Sequence, residues 1–399
     1  MMERTEESKP TSRRKQILDA AFFLATKSEV WSLADIAAVV GVSKTAIYRH
    51  FTNRAEIEEE MTRELIEAVS TAIDTAKESP NAIRLAVVSL LRAKPGYLQY
   101  IVQRIITTEG FVPIMIESLI SQNERIASFF SRLERLRKGV QSHIRADLLI
   151  SSVSVIIASF ADDRLRLIQD QLLESLARGF PELQAVTESR LAELDKICLL
   201  EKRNEEESDR LISAIARTIQ AHGLKNTTIE NIAQEMGMAK SSLYFYCKNK
   251  NEMLASLIKH ETSSILNHIT SRLPLGTSFS EQLYIVMAVQ SNYLLVNPDL
   301  IPVFNWIRYV TFSNDYQEHE HDIDLDALTS AFHTQDLFPD GKIDVLCIIG
   351  IIKWASILST SLTISEFKPG VAPEVIQKDI RFLYRRMLGG DELVYKEKT

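Results

Sequence analysis

The sequence predicts an all-α protein made of two tandem copies of one domain. Only 13 glycines and 11 prolines interrupt 399 residues, so few turns are available and long helices are expected. A 26-residue segment starting at Ser32 aligns without a gap to a segment starting at Thr228. Apolar residues in both segments recur at helical spacing. Each half is therefore expected to begin with a helical unit that the other half repeats.

The repeat has the length of a whole domain. Gly41 and Gly237 lie 196 positions apart, and most of the matching residues share that offset. Upstream, ILDAA at Ile17 pairs with LISAI at Leu211 at an offset of 194, so the first copy has a shorter loop. A solenoid repeat is far shorter, whereas a domain has about 100–200 residues.

Four domains follow from this repeat. We expect two helix-turn-helix domains at 12–58 and 208–254, each followed by a helical regulatory and dimerisation domain, at 59–203 and 255–399. The joint between the halves lies near residues 200–208, in the charged run EKRNEEES, where Ser208 is suited to cap a helix.

Bulk composition excludes several classes of protein. The formal charge of −7 means that binding to nucleic acid must use a local basic surface. Cys198, Cys247 and Cys347 are far apart and odd in number, which favours a reducing compartment over a disulfide framework. The first ten residues are charged and give no sign of a signal peptide, and the apolar stretch from Leu346 to Leu358 is too short to span a bilayer. We expect a cytoplasmic protein that is not associated with a membrane.

The first copy has the pattern of a helix-turn-helix motif. Residues 12–26 form an amphipathic helix, and Ser32 is placed to cap a short second helix. Gly41 suits a left-handed helix end, and Ser43 is placed to cap a third helix at 44–51. Two short helices joined by a turn with glycine are typical of proteins that insert the second helix into the major groove.

The second copy repeats this pattern with Thr228 as the cap, Gly237 in the turn and Leu243 in the core. In both copies the outward positions carry cations, hydroxyls and aromatic rings, which suit phosphates and base edges. The residues predicted to contact double-stranded DNA are Ser32, Ser43, Lys44, Thr45, Tyr48, Arg49 and His50, then Thr228, Lys240, Ser241, Ser242, Tyr244, Phe245, Tyr246 and Lys248. A helical hairpin without a role in DNA binding is the alternative, and the three consecutive aromatics of the second copy could contact protein instead.

The segment GVSKTAIYRHF strongly resembles the recognition helix of the tetracycline-repressor (TetR) family, Gly-Val-Ser-x-x-x-Leu-Tyr-x-His-Phe, and GMAKSSLYFYC is a looser match. By this resemblance, DNA-contacting positions fall on Thr45, Tyr48, His50, Ser241, Tyr244 and Tyr246. Lys248 falls where the family often has a phosphate-binding lysine. In the second copy Ala239 replaces the expected serine cap, and Cys247 replaces a core aromatic.

The resemblance also implies how the chain acts. TetR proteins are homodimers in which each subunit reads one half-site, and most of them are repressors. Two unlike fused copies suggest a covalent pseudo-dimer, with late helices at about 145–173, 342–363 and 374–388 packed as one bundle. Its operator should be imperfectly symmetric. One alternative is that a head serves protein–protein interaction, and another is that the tandem chain dimerises again to give four heads.

Aromatic residues in the second half indicate either a helical core or a pocket for an apolar small-molecule effector. The predicted pocket residues are Tyr293, Phe304, Trp306, Tyr309 and Trp354. The stretch EHEHDIDLD at 318–326 is expected to be an acidic surface loop, with a divalent metal site as the alternative. Residues 13–15 are a charged helix end or a basic arm on phosphate. We find no catalytic motif, and expect neither an enzyme nor a cofactor.

Overall fold

The fold comes from a computed structural model of the chain. It describes residues 12–27, 31–75, 84, 88–90, 96, 97, 100, 104, 150, 179, 180, 183, 186–201, 207–223, 226–246, 249–312, 330–333, 345–368 and 370–389. Every regular element in these ranges is a helix, so the predicted all-α class is confirmed.

The first head consists of three helices and is followed by a long exit helix. These are α1 (Arg13–Lys27), α2 (Leu33–Val40), α3 (Lys44–Tyr48) and the exit helix α4 (Arg54–Thr75). Ile17, Ile36 and Ile47, one from each helix of the head, are fully buried and form its small core. Because these helices are short, this shared core stabilises them more than their own helix propensity does.

The second head repeats this arrangement. Its helices are α6 (Glu207–His222), α7 (Ile229–Glu235) and α8 (Lys240–Tyr246), and its exit helix is α9 (Lys250–Thr270). Ile215, Ile232 and Leu243 are its buried core residues. Ile232 and Leu243 are the counterparts of Ile36 and Ile47 at the offset of 196.

The turn between the two short helices has the same geometry in both heads. Gly41 has a φ of 73° and Gly237 a φ of 70°, a left-handed conformation that strains residues with a side chain. The amide of the next residue, Val42 or Met238, then donates to a carbonyl five residues back, at 2.9 and 3.0 Å. This pattern ends the helix and redirects the chain towards the following helix.

Side-chain caps also recur at equivalent positions. The Asn53 Oδ1 accepts from the amide of Glu56 at 2.9 Å, and the Asn249 Oδ1 accepts from the amide of Glu252 at the same distance. Each asparagine therefore begins the exit helix directly after the recognition helix of its head. The two heads share their local hydrogen bonding as well as their sequence pattern.

The helices that follow the second head form a body, called here the second body, which is organised around one central helix. It comprises α9, a 3₁₀ turn (Leu273–Leu275), α10 (Phe279–Val296), α11 (Leu300–Phe312), α12 (Val345–Glu366) and α13 (Pro373–Gly389). All residues of α10 from Phe279 to Leu294 are buried. The helix is enclosed because α9, α12, α13 and the preceding helix α5 (Glu188–Ile197) all pack against it.

Helix α5 lies before the predicted joint between the halves, yet it packs on the second body. Leu191 and Leu194 are fully buried. The Asn292 Nδ2 of α10 donates to the Cys198 carbonyl at 2.9 Å, which secures the C-terminal end of α5. The thiol of Cys198 is buried, and this burial, followed by the charge of Asp195, raises its pKa to about 12.

A buried carboxylate joins α5 to the second body. Asp195 is 6% exposed and accepts hydrogen bonds from the Tyr284 hydroxyl and, at 2.5 Å, from the Arg381 Nε. Burial, followed by the charge of Asp195, raises the pKa of Tyr284, so the phenol remains a donor. Arg381 also donates to Glu188 at 2.7 Å, and Arg385 binds the same carboxylate.

Among the described residues, one helix is long and apolar enough to cross a membrane by length and composition. It is Ile348–Glu366, with a mean hydropathy of 1.5, and 67% of its apolar window is buried inside the protein. Such burial is typical of a core helix, which agrees with its packing against α10.

Two arginine substitutions on α13 separate the buried ion pair from the exposed one. Arg381→Met leaves the buried Asp195 carboxylate without its cation, so we expect the free energy of unfolding to fall by about 3 kcal/mol. Arg385→Met removes a contact with Glu188, which is 54% exposed, so we expect a loss below about 1 kcal/mol. Urea unfolding of the full chain measures both, and equal losses would contradict the assignment of Asp195 as the residue that joins α5 to the body.

Candidate nucleic-acid interface

The first head exposes the residues predicted to contact DNA. The exposed ones are Ser32, Ser43, Lys44, Thr45, Tyr48 and Arg49, and His50 is half-buried. Tyr48 is 49% exposed although its ring is large and apolar. The Lys44 Nζ lies 5.9 Å from the centroid of that ring, within the range of a cation–π contact. The surface thus offers hydroxyls, cations and one aromatic ring at the start of α2 and along α3.

Two of the three basic residues at the start of α1, Arg14 and Lys15, make contacts with other helices of the protein, whereas Arg13 is exposed. Arg14 donates to the His50 carbonyl at 2.8 Å, and its guanidinium lies 4.2 Å from the centroid of the Phe51 ring. Arg14 also pairs with Glu60 at 3.4 Å. These contacts hold His50 and Phe51, which follow the recognition helix α3, so Arg14 positions the end of that helix.

The exit helix of the first head contacts α1 and Tyr97, a residue that follows it in the chain. The Lys15 Nζ donates to Glu64 at 2.6 Å and to the Tyr97 hydroxyl at 2.7 Å, and Tyr97 also donates to Glu64. The ring of Tyr97 stacks on Phe22 with centroids 3.9 Å apart. Burial, followed by the hydrogen bond to Glu64, raises the pKa of Tyr97 to about 12.

The second half has a comparable contact. The Tyr293 hydroxyl of α10 donates to Glu261 of the exit helix α9 at 2.7 Å, and both side chains are almost fully buried. Tyr293 is the counterpart of Tyr97 at the offset of 196, whereas Glu261 is shifted by one residue from the position of Glu64. Sequence reasoning missed both contacts, and the repeated tyrosine was the signal that could have found them.

The second head exposes part of its predicted set. Thr228, Lys240, Ser241 and Ser242 are exposed. Residues 244–246 lie on α8, but the side chains of Tyr244, Phe245 and Tyr246 and the whole of Lys248 fall outside the described residues.

The two heads differ in charge at the start of the recognition helix. Lys240, the first residue of α8, forms an ion pair with Glu230 in the first turn of α7. The Lys240 hydrogen bond lowers the pKa of Glu230, so this carboxylate stays ionised at neutral pH. The residue of the first head at the position of Glu230 is Ala34. Sequence reasoning missed Glu230, although comparison of the two aligned copies would have singled it out.

The predicted pocket residues lie in the second body. Tyr293 and Trp306 are buried, Trp354 is buried and its ring lies 6.2 Å from that of Phe180, and Phe304 is half-buried. The side chain of Tyr309 falls outside the described residues, as does the whole of 318–326. In the ranges that the structure describes, no group of three or more His, Cys, Asp or Glu residues could hold a metal ion.

Comparison with known proteins accounts for the repeated geometry. The family model for bacterial regulatory proteins of the tetR family matches residues 17–61 and, separately, residues 211–257. Both heads are TetR-family domains. The predicted resemblance is therefore confirmed in both copies, including the looser second one.

Curated relatives of this chain carry the name nucleoid occlusion factor SlmA. The protein of Photobacterium profundum is 31% identical over 137 residues, which cover 32% of this chain and 65% of that protein. The protein of Haemophilus influenzae is 24% identical over 106 residues, which cover 26% of this chain. The matched region spans about half of that relative's length, 49%.

A solved structure is also similar to part of this chain. It is the fatty acid degradation regulator FadR from Bacillus halodurans, with 16% identity and a TM-score of 0.33. The alignment covers 48% of this chain and 99% of that one.

The caps of the two recognition helices give a matched pair of substitutions. The Ser43 Oγ accepts from the amide of Ala46 at 3.3 Å, whereas Ala239 at the equivalent position has no hydroxyl. We expect Ser43→Ala to destabilise α3 and Ala239→Ser to stabilise α8, each by about 1 kcal/mol. Amide hydrogen exchange within each helix measures the change. An unchanged α8 in Ala239→Ser would show that another group already caps that helix.

Proposed function

We propose that the chain is a sequence-specific DNA-binding transcription regulator that acts as a covalent pseudo-dimer. The observation that carries this proposal is the recognition helix of each TetR-family head, which begins with exposed polar residues and is held by the same glycine turn in both copies. The amides at the helix starts and the exposed serine, threonine and lysine side chains suit phosphates and base edges. Repression is the proposed outcome, as in most members of the family.

Contacts between the halves support the pseudo-dimer. Arg84 of the first half is buried and donates to the Arg386 carbonyl of α13 at 2.7 Å. The amide of Phe180 donates to the Leu388 carbonyl at 2.5 Å. With α5 on α10, these contacts fix parts of the first half on the second body. Of the predicted bundle helix at 145–173, only residue 150 is described.

The two heads present different chemistry, which favours an operator with unlike half-sites. Arg49 and His50 directly follow the first recognition helix, and the second head has Phe245 and Tyr246 at those positions. In a pseudo-dimer the two helices would enter the major groove roughly 34–36 Å apart, one turn of the double helix. The alternative is that the second head binds protein, in which case only one half-site would be selected.

Selection of bound duplexes from a random pool, with the mass of the chain measured in solution, tests the operator. We expect two unlike half-sites bound by one chain. A symmetric site bound by two chains, or a single half-site, would contradict the pseudo-dimer.

Alanine substitution then assigns each half-site to a head. Tyr48→Ala is expected to weaken binding about tenfold and to relax selection at one half-site only, because its exposed ring faces solvent in the free protein. Val39→Ala is the matched control, since Val39 is equally exposed in the same head but precedes the turn. Tyr244→Ala should affect the other half-site. Electrophoretic mobility shift with half-site variants measures these effects, and equal losses in Tyr48→Ala and Val39→Ala would contradict the assigned surface.

We also propose that an apolar small molecule regulates DNA binding through the second body. The bond between Tyr293 and Glu261 supports this proposal, because it joins the central helix α10 to the exit helix of the second head. A ligand that moves α10 would thereby shift the population of head positions.

Tryptophan fluorescence can test the effector site. The chain has three tryptophans, and Trp31→Phe would leave only Trp306 and Trp354, both in the second body. An apolar compound that releases DNA should change the emission of this variant at the same concentration. Release of DNA without any change in emission would place the effector site elsewhere.

A further inference from the structure

The ion pair between Glu230 and Lys240 joins the start of α7 to the start of the recognition helix α8. Lys240 begins the recognition helix α8, and Glu230 lies one residue into α7, next to the Thr228 cap. Both side chains are about half exposed, at 53% for Glu230 and 47% for Lys240. Since the starts of these two helices form the surface assigned to DNA, the pair lies within that surface.

We propose that Glu230 lowers the affinity of the second head for DNA by competing with phosphate for Lys240. This inference rests on the proposed function of the two heads. A phosphate must displace the Glu230 carboxylate before Lys240 can bind it, and the displaced carboxylate then faces a polyanion. Because phosphate contacts are the same for all sequences, the cost weakens specific and nonspecific binding by the same factor.

The first head supplies the comparison. Ala34 takes the place of Glu230, and Lys44, the counterpart of Lys240, lies over the Tyr48 ring instead of against a carboxylate. The nearest acid in the sequence, Asp35, accepts from both the amide and the hydroxyl of Ser32 in a capping box. The first head should therefore bind phosphate more readily than the second and contribute more of the salt-dependent affinity.

Substitution of Glu230 tests this role in the full chain. Glu230→Gln should raise the affinity for a random duplex roughly two- to fivefold at moderate salt, the range expected for an exposed ion pair. The slope of log affinity against log salt should steepen by about 0.9, as for one additional phosphate contact. Fluorescence anisotropy over a series of salt concentrations measures both quantities.

A second acid on the same helix provides the control. Glu235 ends α7 and pairs with Arg217 of α6 at 2.5 Å, away from the recognition helix. Glu235→Gln changes the net charge by the same amount as Glu230→Gln. We expect it to alter the affinity and the salt slope much less, which separates the local competition from a general effect of charge.

The reciprocal substitution moves the acid into the first head. Ala34 is exposed in the first turn of α2, where an acidic side chain is compatible with the helix dipole. Ala34→Glu should lower the affinity by a similar factor and make the salt slope shallower. Circular dichroism of each variant verifies that the helices are retained.

The binding measurements separate failure of the Glu230 inference from failure of the proposed function. Equal effects of Glu230→Gln and Glu235→Gln would overturn the proposal, as would unchanged binding in Glu230→Gln. Weaker binding of Glu230→Gln to the selected operator would also overturn it, since Glu230 would then accept a hydrogen bond from a cytosine amino group. If the unaltered chain binds no duplex at low salt, the proposed function itself fails; if it binds and Glu230→Gln changes nothing, only this inference fails.

Discussion

The glycine turn between the two short helices of each head is the constraint on which the recognition surface depends. A helix of five to seven residues has too few internal hydrogen bonds to be stable alone. It persists here because the left-handed residue sends it back onto a core shared with the two preceding helices. The same turn leaves the hydroxyls and cations of the helix start facing outward. Position and exposure of the recognition residues are thus consequences of one backbone conformation.

The two heads share this backbone geometry but differ in charge. Backbone geometry is the same at both turns and at both asparagine caps, whereas the serine cap and the charge on the preceding helix differ. Exposed positions can change in this way because they contribute little to folding, while each buried residue is held by its neighbours. At the surface assigned to DNA, the copies share Lys44 and Tyr48, which recur as Lys240 and Tyr244, and differ in the serine cap and in the acid beside the lysine.

Sequence alone was sufficient for the local structure of the heads. Periodicity, caps and the two glycines predicted the short helices within a few residues, because each signal acts over one or two turns of chain. Packing at long range could not be predicted in the same way. Nothing in the sequence near Asp195 indicates that it meets Tyr284 and Arg381, since these residues are 89 and 186 positions away. The pair of Glu261 with Tyr293, 32 positions apart, was missed for the same reason. Glu230 and Lys240 are only 10 positions apart, but a side-chain contact between two helices leaves no periodic pattern, and only comparison of the two copies points to it.

The position of α5 has a consequence for how the two copies stay together. Its apolar face covers the central helix of the second body, and its carboxylates bind arginines of α13. A peptide bond broken between α5 and α6 would consequently leave two fragments that remain associated without a covalent link. The two halves are therefore held together by packing and ion pairs inside the second half as well as by the chain that links them.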